Sequence, residues 1–171
     1  MSVSSEQKVI FLDIDGVLAT LSSQLISGKL IDQNGVDALQ KILDKTNAKI
    51  VVSSTWRQIF KKRYQMKKVL DCMGLIRPKL YGVSGTETAD DWCTPKSNSG
   101  IRGEEIQAWL NAHPDVTQYV ILDDDSDMLE HQLERFIRID PMVGINGSVL
   151  AKSLVLLDAD PGDIFATLIR E

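Results

Sequence analysis

Several things are scarce in this sequence, and each shortage closes off a class of protein. Only two of the 171 residues are cysteine, Cys72 and Cys93, and neither lies in a CxxC or beside a histidine at zinc-ligand spacing. That count is too low for a disulfide framework and points to a reducing compartment, and neither thiol is expected to be catalytic. There are two histidines, His113 and His131, and neither stands near other ligand types, so both are expected to be solvated. No apolar run approaches the roughly 20 residues needed to cross a bilayer, and the opening MSVSSEQK has neither a basic nor an apolar signal region. The expectation is a soluble, cytoplasmic protein that does not engage a membrane. Positive charge is also in short supply, with 19 Lys and Arg against 24 Asp and Glu and a net charge of −5. Bulk electrostatics therefore does not attract nucleic acid, and only a local basic patch would do so. Repeats, low-complexity tracts and long linkers are missing too, so one domain is expected over residues 1–171, and nothing indicates an obligate protein partner.

What is present alternates between two periodicities. Val9–Leu12 is a short apolar run that ends abruptly in Asp-x-Asp-Gly, the pattern of a buried strand delivering carboxylates into a loop. Gln33–Lys45 places Val36, Leu39, Ile42 and Leu43 on one helical face, and Lys49–Val52 is a second strand running into Ser-Ser-Thr-Trp-Arg. Gln58–Met73 predicts a helix closed by Gly74. Residues 76–100 are rich in Pro, Gly, Ser, Thr and Asp, which predicts an irregular flap or insert with one short strand near Leu80–Val83. A helix is expected over Ile101–Ala112, a third strand over Tyr119–Leu122, a short helix over Met128–Arg135, an apolar stretch over Phe136–Ile139, and a last helix over Pro161–Ile169. This alternation predicts an α/β fold with a mainly parallel sheet between helices, and such sheets bind ligands at the C-terminal ends of their strands. All three polar clusters fall at those ends.

At the end of the first strand, side-chain alternation combined with a turning backbone lets Asp13 and Asp15 face one cleft. One carboxylate there can attack phosphorus while the other protonates the leaving oxygen and later deprotonates water. Gly16 lets the chain turn close to a ligand. Two acids beside an incoming phosphate repel one another, and Mg²⁺ is the cation suited to carboxylate, water and phosphate oxygens. Asp123, Asp124 and Asp125 offer further carboxylates to hold it, with Asp127 in an outer position. Either Ser53 or Ser54 can donate a hydroxyl to a phosphoryl oxygen, and Arg57 and Arg102 are candidate phosphate cations. Arg57 has a competing reading as a helix-start residue in a surface ion pair. Trp56 and Trp92 have the shape of base-stacking platforms, although burial explains each more simply, and Trp109 falls on the apolar face of its helix. The runs Lys61-Lys62-Arg63 and Lys67-Lys68 make either a basic patch or an ordinary solvated helix face. A calcium-loop reading of the Asp-rich segments fails, because both follow β-type runs and lack the Gly and Glu that such loops require.

Taken in order, FLDIDGVL, VVSSTWR, IRGEEIQAWL and YVILDDDSDM resemble the four motifs of the haloacid-dehalogenase-like (HAD) phosphatases. The resemblance runs over about residues 9–128. VVSSTWR, RGEEIQAWL, ILDDDSDM and HQLERFIRIDPMVGIN are similar, more narrowly, to the small HAD domains associated with RNA-repair proteins, and more loosely to the phosphatase half of polynucleotide kinase–phosphatases. The resemblance implies a Rossmann-like three-layer sandwich, a Mg²⁺ cofactor, and an aspartyl-phosphate intermediate on Asp13 with Asp15 as acid/base. It also implies a metal site of Asp13, the Asp15 carbonyl, and Asp124 with Asp123, with Ser53 on phosphate. The third-motif cation falls on Arg102, or on Lys96 if the Ser-Asn-Ser-Gly loop folds back. The intervals between motifs are too short for a large cap, so the enzyme is expected to be capless or minimally capped. An open cleft favours a bulky phosphorylated substrate such as an RNA or DNA end. Two alternatives stand beside this reading: a small-molecule or phosphoprotein phosphatase with the same machinery, and a receiver-like module that only stores a phosphoryl group.

Overall fold

A computed structural model of the chain describes residues 6–82 and 90–162. Strand β1 (Gln7–Leu12) lies between β2 (Lys49–Val52) and β3 (Val116–Asp123), and β4 (Phe136–Arg138) extends the sheet beyond β3. The order is β2-β1-β3-β4, and every pairing is parallel. The chain therefore leaves β1 toward one side and returns on the other, which creates the switch point where parallel sheets open a crevice.

The apolar run of β1 is buried on both faces because helices cover both. Ile10 and Leu12, with Ile50, Val52, Val120 and Leu122, face one layer, while Val9 and Phe11, with Val51 and Ile121, face the other. Helix α2 (Gln33–Thr46) supplies Val36, Leu39 and Ile42 to the first face, joined by Leu150 and Leu154 of α6 (Gly147–Leu156). Helix α5 (Arg102–Ala112) supplies Ile106 and Trp109 to the second. The three-layer α/β sandwich expected from the sequence is thus what forms. Among the described residues no second sheet is present, and no helix is long and apolar enough to cross a membrane.

Several local expectations need correction. The helix predicted over Gln58–Met73 is two helices, α3 (Trp56–Ile59) and α4 (Arg63–Met73). Phe60 and Lys62 leave helical torsions between them, and the Gln65 side chain accepts from the Lys62 N–H at 3.1 Å, starting a new helix. Gly74, with φ +108°, closes α4 as read. The predicted Leu80–Val83 strand reduces to a bridge between Leu80 and Ile50, with Val83 outside the described residues. Glu130–Arg135 is a 3₁₀ helix, shorter than the helix predicted over Met128–Arg135. The predicted Pro161–Ile169 helix lies outside the described residues from residue 163 onward, and the final described helix, α6, was not anticipated. The short helix α1 (Leu21–Ile26) follows the first motif, capped by the Thr20 side chain. His113 is not solvated: its ring stacks on Trp109 at 3.9 Å and its Nε2 lies 3.1 Å from Asp91 Oδ1. Trp92 is a core residue, 2% exposed.

Candidate active site

Strand register builds the site. Leu12 pairs with both Val52 and Leu122, so the next residues, Asp13, Ser53 and Asp123, come abreast at the C-terminal edge. The ladder continues one step further, with the Asp13 N–H donating to Leu122 O and the Ser53 N–H to Leu12 O, both at 3.0 Å. A tight turn follows β1: the N–H groups of Val17, Leu18 and Ala19 all donate to Ile14 O at 2.9–3.1 Å. That turn leaves the Asp15 side chain exposed at the rim while Asp13 is buried.

Carboxylate oxygens of Asp13, Asp123 and Asp124 lie within 4.8 Å of one another. Burial, followed by the negative charge of Asp123, pushes the Asp13 carboxyl up to about 8, although Arg102 and the Ile14 N–H pull the other way. Burial likewise raises Asp123 to about 6, against the Asp125 N–H and Arg102. The cluster is therefore short of positive charge. Among the described residues one cation is supplied: Arg102 Nε lies 3.3 Å from Asp123 Oδ2, which is fully buried and accepts no hydrogen bond there. Lys96 is exposed in its loop, so of the two third-motif candidates it is Arg102 that the fold sets against the acids.

A small hard cation fits this donor set, since all three candidate ligands are carboxylates and a buried oxygen is left without a hydrogen-bond donor among the described residues. Gly16 makes the close approach possible. It has φ +78°, and a Cβ there would meet Asp124 Oδ2 at 2.3 Å. Gly16→Ala is therefore expected to displace Asp124, costing about 1–2 kcal/mol of stability and at least ~10-fold in Mg²⁺ affinity. Thermal shift with titrated Mg²⁺ checks it, and an unchanged midpoint for the metal would contradict it.

The two serines separate. Ser54 Oγ accepts from the Trp56 N–H at 3.3 Å, whereas the buried Ser53 Oγ has no hydrogen-bond partner among the described residues. Ser53 is thus the one with a hydroxyl to spare. Asp127 holds the start of α5, its Oδ2 accepting from the Arg102 N–H at 2.8 Å and its carbonyl from the Gly103 N–H at 3.1 Å.

Arg57 is placed otherwise than expected. It is 7% exposed, and its guanidinium donates to Thr94 O, Ser53 O and Ser54 O at 2.8–2.9 Å and to Glu105 Oε2 at 2.8 Å. Those bonds commit it to fastening the second-motif loop to α5, in place of reaching phosphate or forming a surface pair. Sequence reasoning missed Glu105, whose partner lies 48 residues earlier. It also missed a role for Trp56, whose indole N–H donates to Asp15 Oδ2 at 3.0 Å. The IRGEE string held the only signal for Glu105, an acid beside Ile106 on the buried side of the helix.

No curated protein and no solved structure matches the chain. Residues 9–148 match a family model described as the HAD domain in Swiss Army Knife RNA repair proteins. That span takes in the buried acids, the Ser53 loop, Arg102 and the Asp123–Asp124 strand end, and the chain belongs to that HAD family.

Proposed function

We propose that this HAD domain is a Mg²⁺-dependent phosphomonoesterase that passes a phosphoryl group through Asp13, with a polynucleotide terminal phosphate as its substrate. The observation that carries the chemistry is the convergence of Asp13, Asp123 and Asp124 at two adjacent strand ends, beside Arg102. The description of the family as part of RNA repair proteins supports the substrate class.

In the first half-reaction an Asp13 carboxylate oxygen attacks phosphorus and the ester P–O bond breaks. Asp15 gives its proton to the departing oxygen. In the second, Asp15 takes a proton from water, the water oxygen attacks phosphorus, and the bond to Asp13 breaks to release inorganic phosphate. The Ser53 hydroxyl and the Arg102 guanidinium are the donors for the phosphoryl oxygens. Asp13 and Asp124, with Asp123, would hold Mg²⁺, which supplies charge neutralisation between acids and phosphate. An acid/base two residues from the nucleophile distinguishes turnover from phosphoryl storage.

The test is hydrolysis of 3′- and 5′-phosphorylated RNA and DNA, nucleotides, sugar phosphates and phosphopeptides, with Mg²⁺ and with EDTA. A higher kcat/KM for sugar phosphates or nucleotides than for oligonucleotide ends would overturn the substrate class. Asp15→Asn is expected to slow turnover by at least ~10². A rate within a few-fold of wild type would remove Asp15 from its role.

A further inference from the structure

An apolar groove of about 550 Å³ runs alongside the candidate active site, lined by Leu30 and Ile31 on one side and by Trp56, Phe60, Tyr64 and Lys68 on the other. That volume lies within the ~300–1,000 Å³ of small-ligand clefts. Three aromatic rings along one wall are unusual in a chain that is 6% aromatic. Tyr64 is 70% exposed and Leu30 54%, so the walls are formed but uncovered.

We propose that this groove receives the terminal bases of a single-stranded polynucleotide whose end phosphate lies at Asp13, with Trp56 as the wall shared by the two sites. The inference rests on the phosphatase reading above and names where its substrate's leaving group goes. Two observations and one general rule carry it.

First, the groove adjoins the chemistry through Trp56. Trp56 lines the groove and donates its indole N–H to Asp15 Oδ2 at 3.0 Å, so the groove and the acid/base share one side chain. Second, the segment that forms the aromatic wall is basic in an acidic protein. Lys68 lines the groove, Lys61, Lys62 and Lys67 are exposed on the same segment, the first acid after Trp56 is Asp71, and none of the described lining residues is acidic. Arg63 is not counted, since its guanidinium donates to the carbonyls of Leu80 and Gly82. Third, aromatic faces bordered by lysines suit stacked bases with a phosphate backbone passing outside. A hydrophobic peptide would use the rings and leave the lysines without a purpose.

Tyr64→Ala and Lys68→Glu are suited to the test because both side chains are exposed. Binding of an unphosphorylated single-stranded oligonucleotide is measured by fluorescence anisotropy at two salt concentrations, with a blunt duplex and an acidic peptide as comparators. Tyr64→Ala should weaken single-strand binding about tenfold, and Lys68→Glu should weaken it and flatten its salt dependence. In turnover, the ratio of kcat/KM for a 3′- or 5′-phosphorylated single strand to that for glycerol phosphate should fall by a similar factor. RNA and DNA arms, and the two ends, identify which strand the groove takes. Unchanged single-strand affinity in both variants, duplex binding as tight as single strand, or preference for the peptide would each overturn the assignment. Absence of turnover in wild type would defeat the phosphatase reading instead, and the anisotropy would still decide the groove.

Discussion

Asp13→Asn is expected to lower turnover by on the order of 10⁴-fold or more, the scale on which removal of a nucleophile acts, while making the metal-free protein more stable at pH 8. The second effect follows from where the carboxyl sits. Its pKa is raised from 3.8 to about 8, chiefly by burial and then by Asp123. A carboxyl held above its unfolded value favours the folded state fully only below about pH 4, and the contribution is lost as pH rises toward 8. Across that window the folded wild type must either keep a proton that the unfolded chain has released or carry a buried charge beside Asp123. Asparagine has the same shape and neither obligation. In EDTA at pH 8 the variant should exceed wild type by about 2 kcal/mol, or ~4–8 °C in Tm, and the gap should shrink as pH falls toward 4. Asp123, raised to about 6 by burial, contributes with the same sign at lower pH. Thermal melts of both proteins across pH check this. A wild type more stable than Asp13→Asn at pH 8 without metal would show that the acids are not crowded as described. Mg²⁺ should reverse the order by raising the wild-type Tm more than the variant's.

The other large effect concerns a pair remote from the reacting atoms. Arg57 and Glu105 form an ion pair at 2.8 Å with side chains 5% and 6% exposed. Truncating one partner leaves a buried charge without its counter-charge, and Glu105→Ala should cost about 3–5 kcal/mol. Arg57→Ala should cost at least as much, since it also deprives the carbonyls of Ser53, Ser54 and Thr94 of their donor. Glu105→Gln, which keeps an acceptor near Nη2, should lose less. Urea denaturation measures all three, and a loss below about 1 kcal/mol for Glu105→Ala would mean the pair is hydrated and incidental. Because Arg57 fixes the carbonyls that flank the Ser53 hydroxyl, kcat should fall in Glu105→Gln even where the protein remains folded.

The three strands that carry the site could be read from sequence because each is an apolar run stopped by a polar cluster. Parallel pairing then brings Asp13, Ser53 and Asp123 level without further information. Arg102 could be read because a helix start places it opposite the third strand's end, and Asp127, far along the chain, is what holds that helix start. Three kinds of feature were not legible. The break after Ile59 has neither Pro nor Gly to announce it, and it depends on the Gln65 side chain reaching back to Lys62. Helix α6 buries Val149, Leu150, Ala151, Ser153 and Leu154 against the sheet and α2, so little polar face remains to give it a period. The commitment of Arg57 to Glu105, and of Trp56 to Asp15, joins residues 48 and 41 positions apart. Such pairings follow from the fold and from no local pattern.

The central claim is that the strand-end acids act together, with Asp13 as the acceptor of the phosphoryl group. Acid quenching of the Asp15→Asn variant during turnover, followed by peptide mapping in a mass spectrometer, tests it most directly. The account predicts a phosphoryl group on the peptide containing Asp13, formed with Mg²⁺ and absent with EDTA. Label on another residue, or metal-dependent hydrolysis with Asp13 never modified, would contradict it.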